Sequence, residues 1–282
     1  MSAIGFVTDS TATIPEDLVR KYKIQVVPQV VIWDGKVLLD GIDITPEEFY
    51  NRLKSAAVLP TTSQATVAAF RDAFEPLVGQ GVPILAPVIS GKLSGTLQSA
   101  LQARAMFPDA QIEVVDTQAA AMALGFQVLA AVRAAEQGQN FEDVLGVAVR
   151  AKEHTGILFA VDTLEFLHRG GRIGGASRLL GTALNIKPIL ELQSGRIEAV
   201  ERVRTKGKAV ARMLDLVVER IAGRTPVRIS AVHAAAEDEA RELLAQAEAR
   251  VHPVESMITV ASPAIGAHVG PGIVGLAYSA GL

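Results

Sequence analysis

Short apolar runs rich in β-branched residues alternate with helical runs through the first half of this chain, and that alternation leaves few folds open. Residues 4–7 form one such run, ending in Thr8-Asp9-Ser10 and followed by a helix opened by Pro15-Glu16-Asp17. The apolar stretch 82–88 leads through Ile89-Ser90-Gly91-Lys92-Leu93-Ser94-Gly95-Thr96 into a helical run over 97–107. Residues 111–115 end in Asp116-Thr117, and a helix follows over 118–136, ended by Gly138. Strand–helix–strand crossovers are right-handed, so repetition of the unit predicts an N-terminal, mostly parallel sheet with helices on both faces. The segment 24–39 is different: it is β-rich, is broken by Asp34-Gly35, and reads as a β-ribbon.

Near Asn140 the pattern resets. A helix over 141–153 is expected, then a strand over 156–161 and a short helix stopped by Gly170-Gly171. Residues 186–192 and 196–203 flank Ser194-Gly195 as a hairpin, and helix 208–221, strand 227–232, helix 237–249 and strand 257–260 follow. A C-terminal mixed sheet with helices on one side is the simplest assembly. A chain of 282 residues is long for one core. Two α/β domains are expected, 1–150 and 151–282, with residues near 60–78 able to bridge them.

Composition removes several function classes. Apolar residues make up 49% but aromatics only 5%, so there is no platform for stacking bases. The 27 basic and 30 acidic residues give a net charge of −3, without the concentrated basic face that nucleic acid requires. With no cysteine there is no disulfide, thiolate nucleophile or Cys-type zinc site, which suits a reducing cytoplasm. The N-terminus reaches Asp9 without a basic region or a long apolar one, unlike a secretory leader. The longest apolar stretch, 119–132, contains Gln127 and is too short to span a bilayer, so a buried helix is expected.

Candidate chemistry gathers at loops. Between strand and helix, the hydroxyls of Ser94 and Thr96, with Gly95 between them, meet free N–H groups and the positive end of a helix dipole. An anion fits there, although Ser94 capping its own helix explains the same residues. Pro60-Thr61-Thr62-Ser63-Gln64 precedes a helical run over 65–78 and reads as a second hydroxyl-bearing helix start. Asp9 and Ser10 stand at the C-terminal edge of a strand, where open α/β sheets bind ligands, or they fix the loop. Of five histidines, at 154, 168, 233, 252 and 268, none shows metal-ligand spacing. His268 stands out because it lies in an irregular glycine-rich loop over 262–272, where a side chain can be held at a cleft. His168, Arg169 and Arg172 supply cations to an anion or form a solvated rim. Glu47 and Glu48 belong to the capping box opened by Thr45-Pro46. No P-loop, H-E-x-x-H or G-x-S-x-G occurs. Gly270-Pro271-Gly272-Ile273-Val274-Gly275 matches the dinucleotide fingerprint, but the seven residues 276–282 leave no room for the required helix and strand.

Together these segments resemble a known family. Thr8-Asp9-Ser10, Thr62-Ser63-Gln64, Leu93-Ser94-Gly95-Thr96, Arg169-Gly170-Gly171-Arg172-Ile173, Lys187-Pro188, Arg204-Thr205 and His268-Val269-Gly270-Pro271-Gly272, in order, closely resemble the DegV family, the fatty-acid-binding proteins of bacterial fatty acid kinase. The resemblance implies a two-domain α/β protein with a tunnel between the domains enclosing one long-chain fatty acid such as palmitate. It implies that Thr62 and Ser94 hold the carboxylate with His268 nearby, and that a separate ATP-dependent kinase makes the acyl phosphate, as a step of phospholipid metabolism. Arg169, Arg172 and Arg204 are then candidates for the tunnel mouth or the kinase contact. The protein itself would be no enzyme and need no cofactor. Transient contact with a membrane surface stays open. Two rivals remain: a small α/β enzyme acting on a phosphorylated metabolite with Asp9 as general base, and a regulatory protein whose pocket is incidental.

Overall fold

The computed structural model describes residues 4–179 and 186–282; Met1, Ser2 and Ala3 of the N-terminal reading lie outside them. In chain order the first half contains β1 (Gly5–Asp9), α1 (Glu16–Lys21), β2 (Gln25–Val27), β3 (Val30–Trp33), β4 (Lys36–Leu39) and α2 (Pro46–Leu53). It continues with β5 (Thr61–Ser63), α3 (Val67–Gly79), β6 (Ile84–Val88), α4 (Thr96–Arg104), β7 (Ile112–Asp116), α5 (Ala121–Glu136) and α6 (Phe141–Ala151). The second half contains β8 (Thr155–Ala160), α7 (Glu165–Arg169), β9 (Lys187–Gln193), β10 (Arg196–Val203), α8 (Lys206–Ile221) and β11 (Val227–His233). It ends with α9 (Glu237–Val251), β12 (Glu255–Val260), α10 (Pro263–Val269) and β13 (Val274–Ala280).

The N-terminal sheet is parallel, in the order β2-β1-β6-β7. Its central strands β1 and β6 are buried at every position, as strands covered on both faces must be. Helices α3 and α4 cover one face through Phe70, Phe74, Ala100 and Ala103, and α5 covers the other. The second sheet is mixed, in the order β10-β9-β8-β13-β11-β12, with β11 and β12 parallel and the remaining pairs antiparallel. Its outer face packs on α8 and α9 around Met213, Val217 and Leu243. Its inner face meets α5, so this sheet too is covered on both sides rather than on one. Helix α5 is buried almost all round and is shared by the two sheets, which is why its sequence lacks a polar face.

Three other readings need correction. The ribbon over 24–39 is divided between sheets: β2 joins the parallel sheet beside β1, while only β3 and β4 form the hairpin around Asp34-Gly35. Pro28 has no N–H to continue a ladder, and the chain changes sheet there. Thr61–Ser63 is a strand, not a helix start; it pairs antiparallel with β3, and Thr66 caps α3. The three strands make a separate small sheet, β4-β3-β5. Residues 262–272 are not irregular throughout: Ser262 accepts from the Ile265 N–H and caps α10, with Pro263 in its first turn and Gly270 ending it at φ +75°. The rejected dinucleotide segment runs into β13, the strand that joins β8 to β11 in the second sheet.

Candidate functional site

A channel opens between the two halves of the molecule. Its apolar wall comes from Ile157 and Phe159 on β8, Ile197 on β10, Val232 on β11, Leu167 on α7 and Ile273 before β13. Ile89, from the loop after β6, and Ala121, the first residue of α5, also line it. The free space, open mouth included, is about 890 Å³.

Polar lining comes from several segments, of which four bear on a head group. Strand β5 supplies Thr62 because pairing with Val31 fixes its register. Helix α10 supplies His268, whose Nε2 lies 2.6 Å from the Thr62 hydroxyl. The segment after α7 supplies Arg172, whose Nε and Nη1 donate to the carbonyls of Leu93 (3.0 Å) and Gly170 (2.7 Å). Among the described residues Arg172 forms no ion pair, so its guanidinium carries an uncompensated charge at the channel. Ser94, next to that Leu93 carbonyl, also lines the channel. It is not the N-cap of α4, a position taken by Gly95, but its oxygen accepts from the Thr96 N–H at 3.2 Å.

Thr62, His268 and Arg172 also line an outer groove of about 960 Å³, its open side included, together with Val58, Phe166 and Arg169. These three residues therefore stand as a partition between the channel and solvent. Burial, and secondarily the positive charge of Arg172, push the His268 pKa down to about 4. The imidazole is neutral near pH 7. Its buried Nδ1 has no hydrogen-bond partner among the described residues and abuts Gly170, where a methyl group would collide with it. A neutral ring protonated on Nε2 therefore donates to Thr62 and leaves the Thr62 O–H free for a ligand.

The other candidates divide. Asp9 is fully buried behind the site and accepts from the N–H groups of Thr11 (3.0 Å) and Ile89 (2.8 Å) and from Gln29 Nε2 (3.0 Å). Burial raises its pKa against those donors, and its oxygens are too occupied to serve as a general base. Ser10 donates to Asp40 (2.7 Å) and accepts from the Gln29 N–H (3.0 Å), so it fixes the loop. Thr96 is buried and reaches the channel only through Ser94. Arg169 is exposed, pairs with Glu165 at 2.6 Å, and faces the groove. Arg204, exposed between β10 and the cap of α8, lines neither channel nor groove. Gln29 is the residue that sequence reasoning missed: it lines the channel and links Asp9 to Thr96. A single glutamine after a proline gives no signal, since its partners are 20 to 67 residues away.

Known proteins share this architecture. The chain matches over residues 3–281 the family model described as "Uncharacterised protein, DegV family". The chain belongs to the DegV family. A DegV domain-containing protein of Clostridium perfringens is 37% identical over 281 residues, covering 98% of this chain and 99% of the relative. The solved structure of a DegV family protein from Thermus thermophilus, described with fatty acid binding, is 38% identical with a TM-score of 0.93, over 99% of this chain and 100% of that one. DegV from Bacillus subtilis, described as a fatty acid binding protein, is 30% identical with a TM-score of 0.91, over 99% and 100% of the two chains. The parallel N-terminal sheet and mixed C-terminal sheet are those of DegV fatty-acid-binding structures.

Proposed function

We propose that this protein binds one long-chain fatty acid, with its tail in the channel and its carboxylate at Thr62, Ser94 and Arg172, and presents that carboxylate to a separate ATP-dependent kinase. The observation that carries the reading is the partition: an apolar channel ends at the Thr62 and Ser94 hydroxyls and at an arginine without an ion-pair partner among the described residues, with an open groove beyond. Each buried methylene is worth about 0.8 kcal/mol, so about fourteen of them gain roughly 11 kcal/mol before ordering costs. A hydrogen bond to a charged group adds about 1.5–3 kcal/mol. The tail supplies affinity and the head group supplies orientation. Neutral His268 cannot balance the carboxylate, and Arg172 does so. The kinase partner is favoured by the DegV resemblance and by the groove, from which a second protein reaches the head group. The chain carries no phosphate-binding loop of its own.

Mass spectrometry of the native protein, then of the denatured protein, tests the binding. One long-chain fatty acid per chain is expected; an empty channel or a small phosphorylated metabolite overturns the reading. Incubation of the loaded protein with a bacterial fatty acid kinase and ATP tests the presentation, through the appearance of acyl phosphate.

A further inference from the structure

The cluster behind Ser94 holds more donors than its own oxygens require. Gln29 and Thr96 are buried, at 3% and 0% exposure. The Gln29 amide nitrogen donates to Asp9 Oδ1 (3.0 Å) and to Thr96 Oγ1 (2.9 Å), and its oxygen accepts from the Ala65 N–H (3.1 Å). Turning the amide over sets its oxygen against the Asp9 carboxylate and its nitrogen against the Ala65 N–H, so one orientation is fixed. The Thr96 N–H donates to Ser94 Oγ (3.2 Å). Gln29 Oε1, Thr96 Oγ1 and Ser94 Oγ thus each receive a proton from a donor that cannot rotate.

The two hydroxyl protons are left over. That of Thr96 has Gln29 Oε1 at 3.0 Å and Ser94 Oγ at 2.9 Å. Among the described residues that of Ser94 has only Thr96 Oγ1, already an acceptor from Gln29 and 3.3 Å from the Ala65 N–H, or the channel. We infer that Asp9, Gln29 and Thr96 form a polarised relay that turns the Ser94 hydroxyl into the channel as a donor, so that this end takes an acceptor head group. Gln29 and Thr96 are positioning residues acting through Ser94. The relay rests on the fatty-acid reading of the channel and assigns the proton order within it. A carboxylate supplies the missing acceptor; on its arrival the Thr96 proton turns to Ser94 Oγ, and Gln29 Oε1 keeps the Ala65 N–H.

The test uses the full chain, stripped of lipid and loaded with palmitate labelled with ¹³C at its carboxyl carbon. In wild type the carboxyl resonance is displaced from its position in detergent micelles at the same pH. In Thr96→Val the resonance moves at least half the way from wild type to its position in Ser94→Ala, with palmitate still bound one to one. Thr96→Ser restores the wild-type position, and in a Ser94→Ala background Thr96→Val adds no shift. If Thr96→Val does not fold, Gln29→Met, of similar length, carries the same expectation. An unmoved resonance with palmitate bound, or an added shift in the Ser94→Ala background, overturns the relay alone. Absence of palmitate from the wild-type protein overturns the channel reading and the relay with it.

Discussion

Arg172 is tethered to two backbone carbonyls by a planar fork, and a lysine cannot reproduce that geometry. On the proposed reading the charge lies at the mouth and the affinity comes from the tail, so Arg172→Ala is expected to keep its fatty acid. Kinase-dependent acyl phosphate formation falls about tenfold or more, the equivalent of losing one charge-assisted contact. Arg172→Lys behaves like the alanine variant. A reconstituted assay that scores bound lipid and acyl phosphate separately decides it, and normal turnover in both variants would assign Arg172 to holding its loop. His268 has a distinct signature in pH. Its folded pKa, about 4, lies below the ordinary 6.5, so between those values the unfolded chain binds the extra proton. Its contribution is present above pH 6.5 and is lost as the pH falls towards 4, by up to about 3 kcal/mol. Asp40, pushed up to about 6 by burial, acts in the opposite sense: its contribution is present below pH 3.8 and lost as the pH rises through 6. The two largely cancel in wild type. Urea unfolding at pH 4.5 and 7 should therefore show His268→Gln gaining stability relative to wild type on acidification. Equal pH dependence in both proteins rules out the buried neutral ring.

At the scale of elements, α10 is held from two sides by close approach at glycine. A methyl group at Gly266 would stand 2.6 Å from the Tyr50 hydroxyl and 2.8 Å from Phe49 Cε1 on α2. Alanine is ordinarily the better helix residue, yet Gly266→Ala is expected to destabilise the fold by about 1–3 kcal/mol through overpacking. Denaturant unfolding measures the loss, and a stabilised variant would mean that α10 is free to shift. Elements with local signals were readable in the sequence. Thr45 and Glu48 form the reciprocal capping box their spacing predicts, and Asn140 caps α6 where the pattern resets. Those built by distant pairing were not. Thr61–Ser63 is a strand only because β3 lies beside it, and β13, buried along its whole length, shows neither a two-residue period nor a helical one. Ser262-Pro263 was a legible helix start, obscured by the glycines that let α10 approach its neighbours. Thr62, Ser94 and His268 stood out as loop and helix-start residues, and the resemblance supplied the expectation of a carboxylate role; their contacts depend on β5 and α10.

At the scale of the molecule, the channel is continuous with the largest core. Ile157, Phe159, Val232 and Ile273 belong to the same buried cluster as Met122 and Leu129 of α5, the helix shared by both sheets. A bound tail therefore completes a core that joins the halves, and its removal leaves apolar walls facing a void that water enters at a cost. Since an unfolded chain has no channel, ligand and folding are linked: free palmitate at 100 times its dissociation constant adds about 2.7 kcal/mol to stability. For a chain of this size that is a rise on the order of 5–10 °C in Tm. The expected result is a delipidated protein that melts lower than the purified one and regains its Tm on titration with palmitate, climbing with the logarithm of free ligand. Ile157→Asp, which sets a charge against the tail within this buried cluster, should lower the Tm of the delipidated protein and abolish the climb. A Tm unmoved by palmitate that is demonstrably bound would place the lipid outside the core.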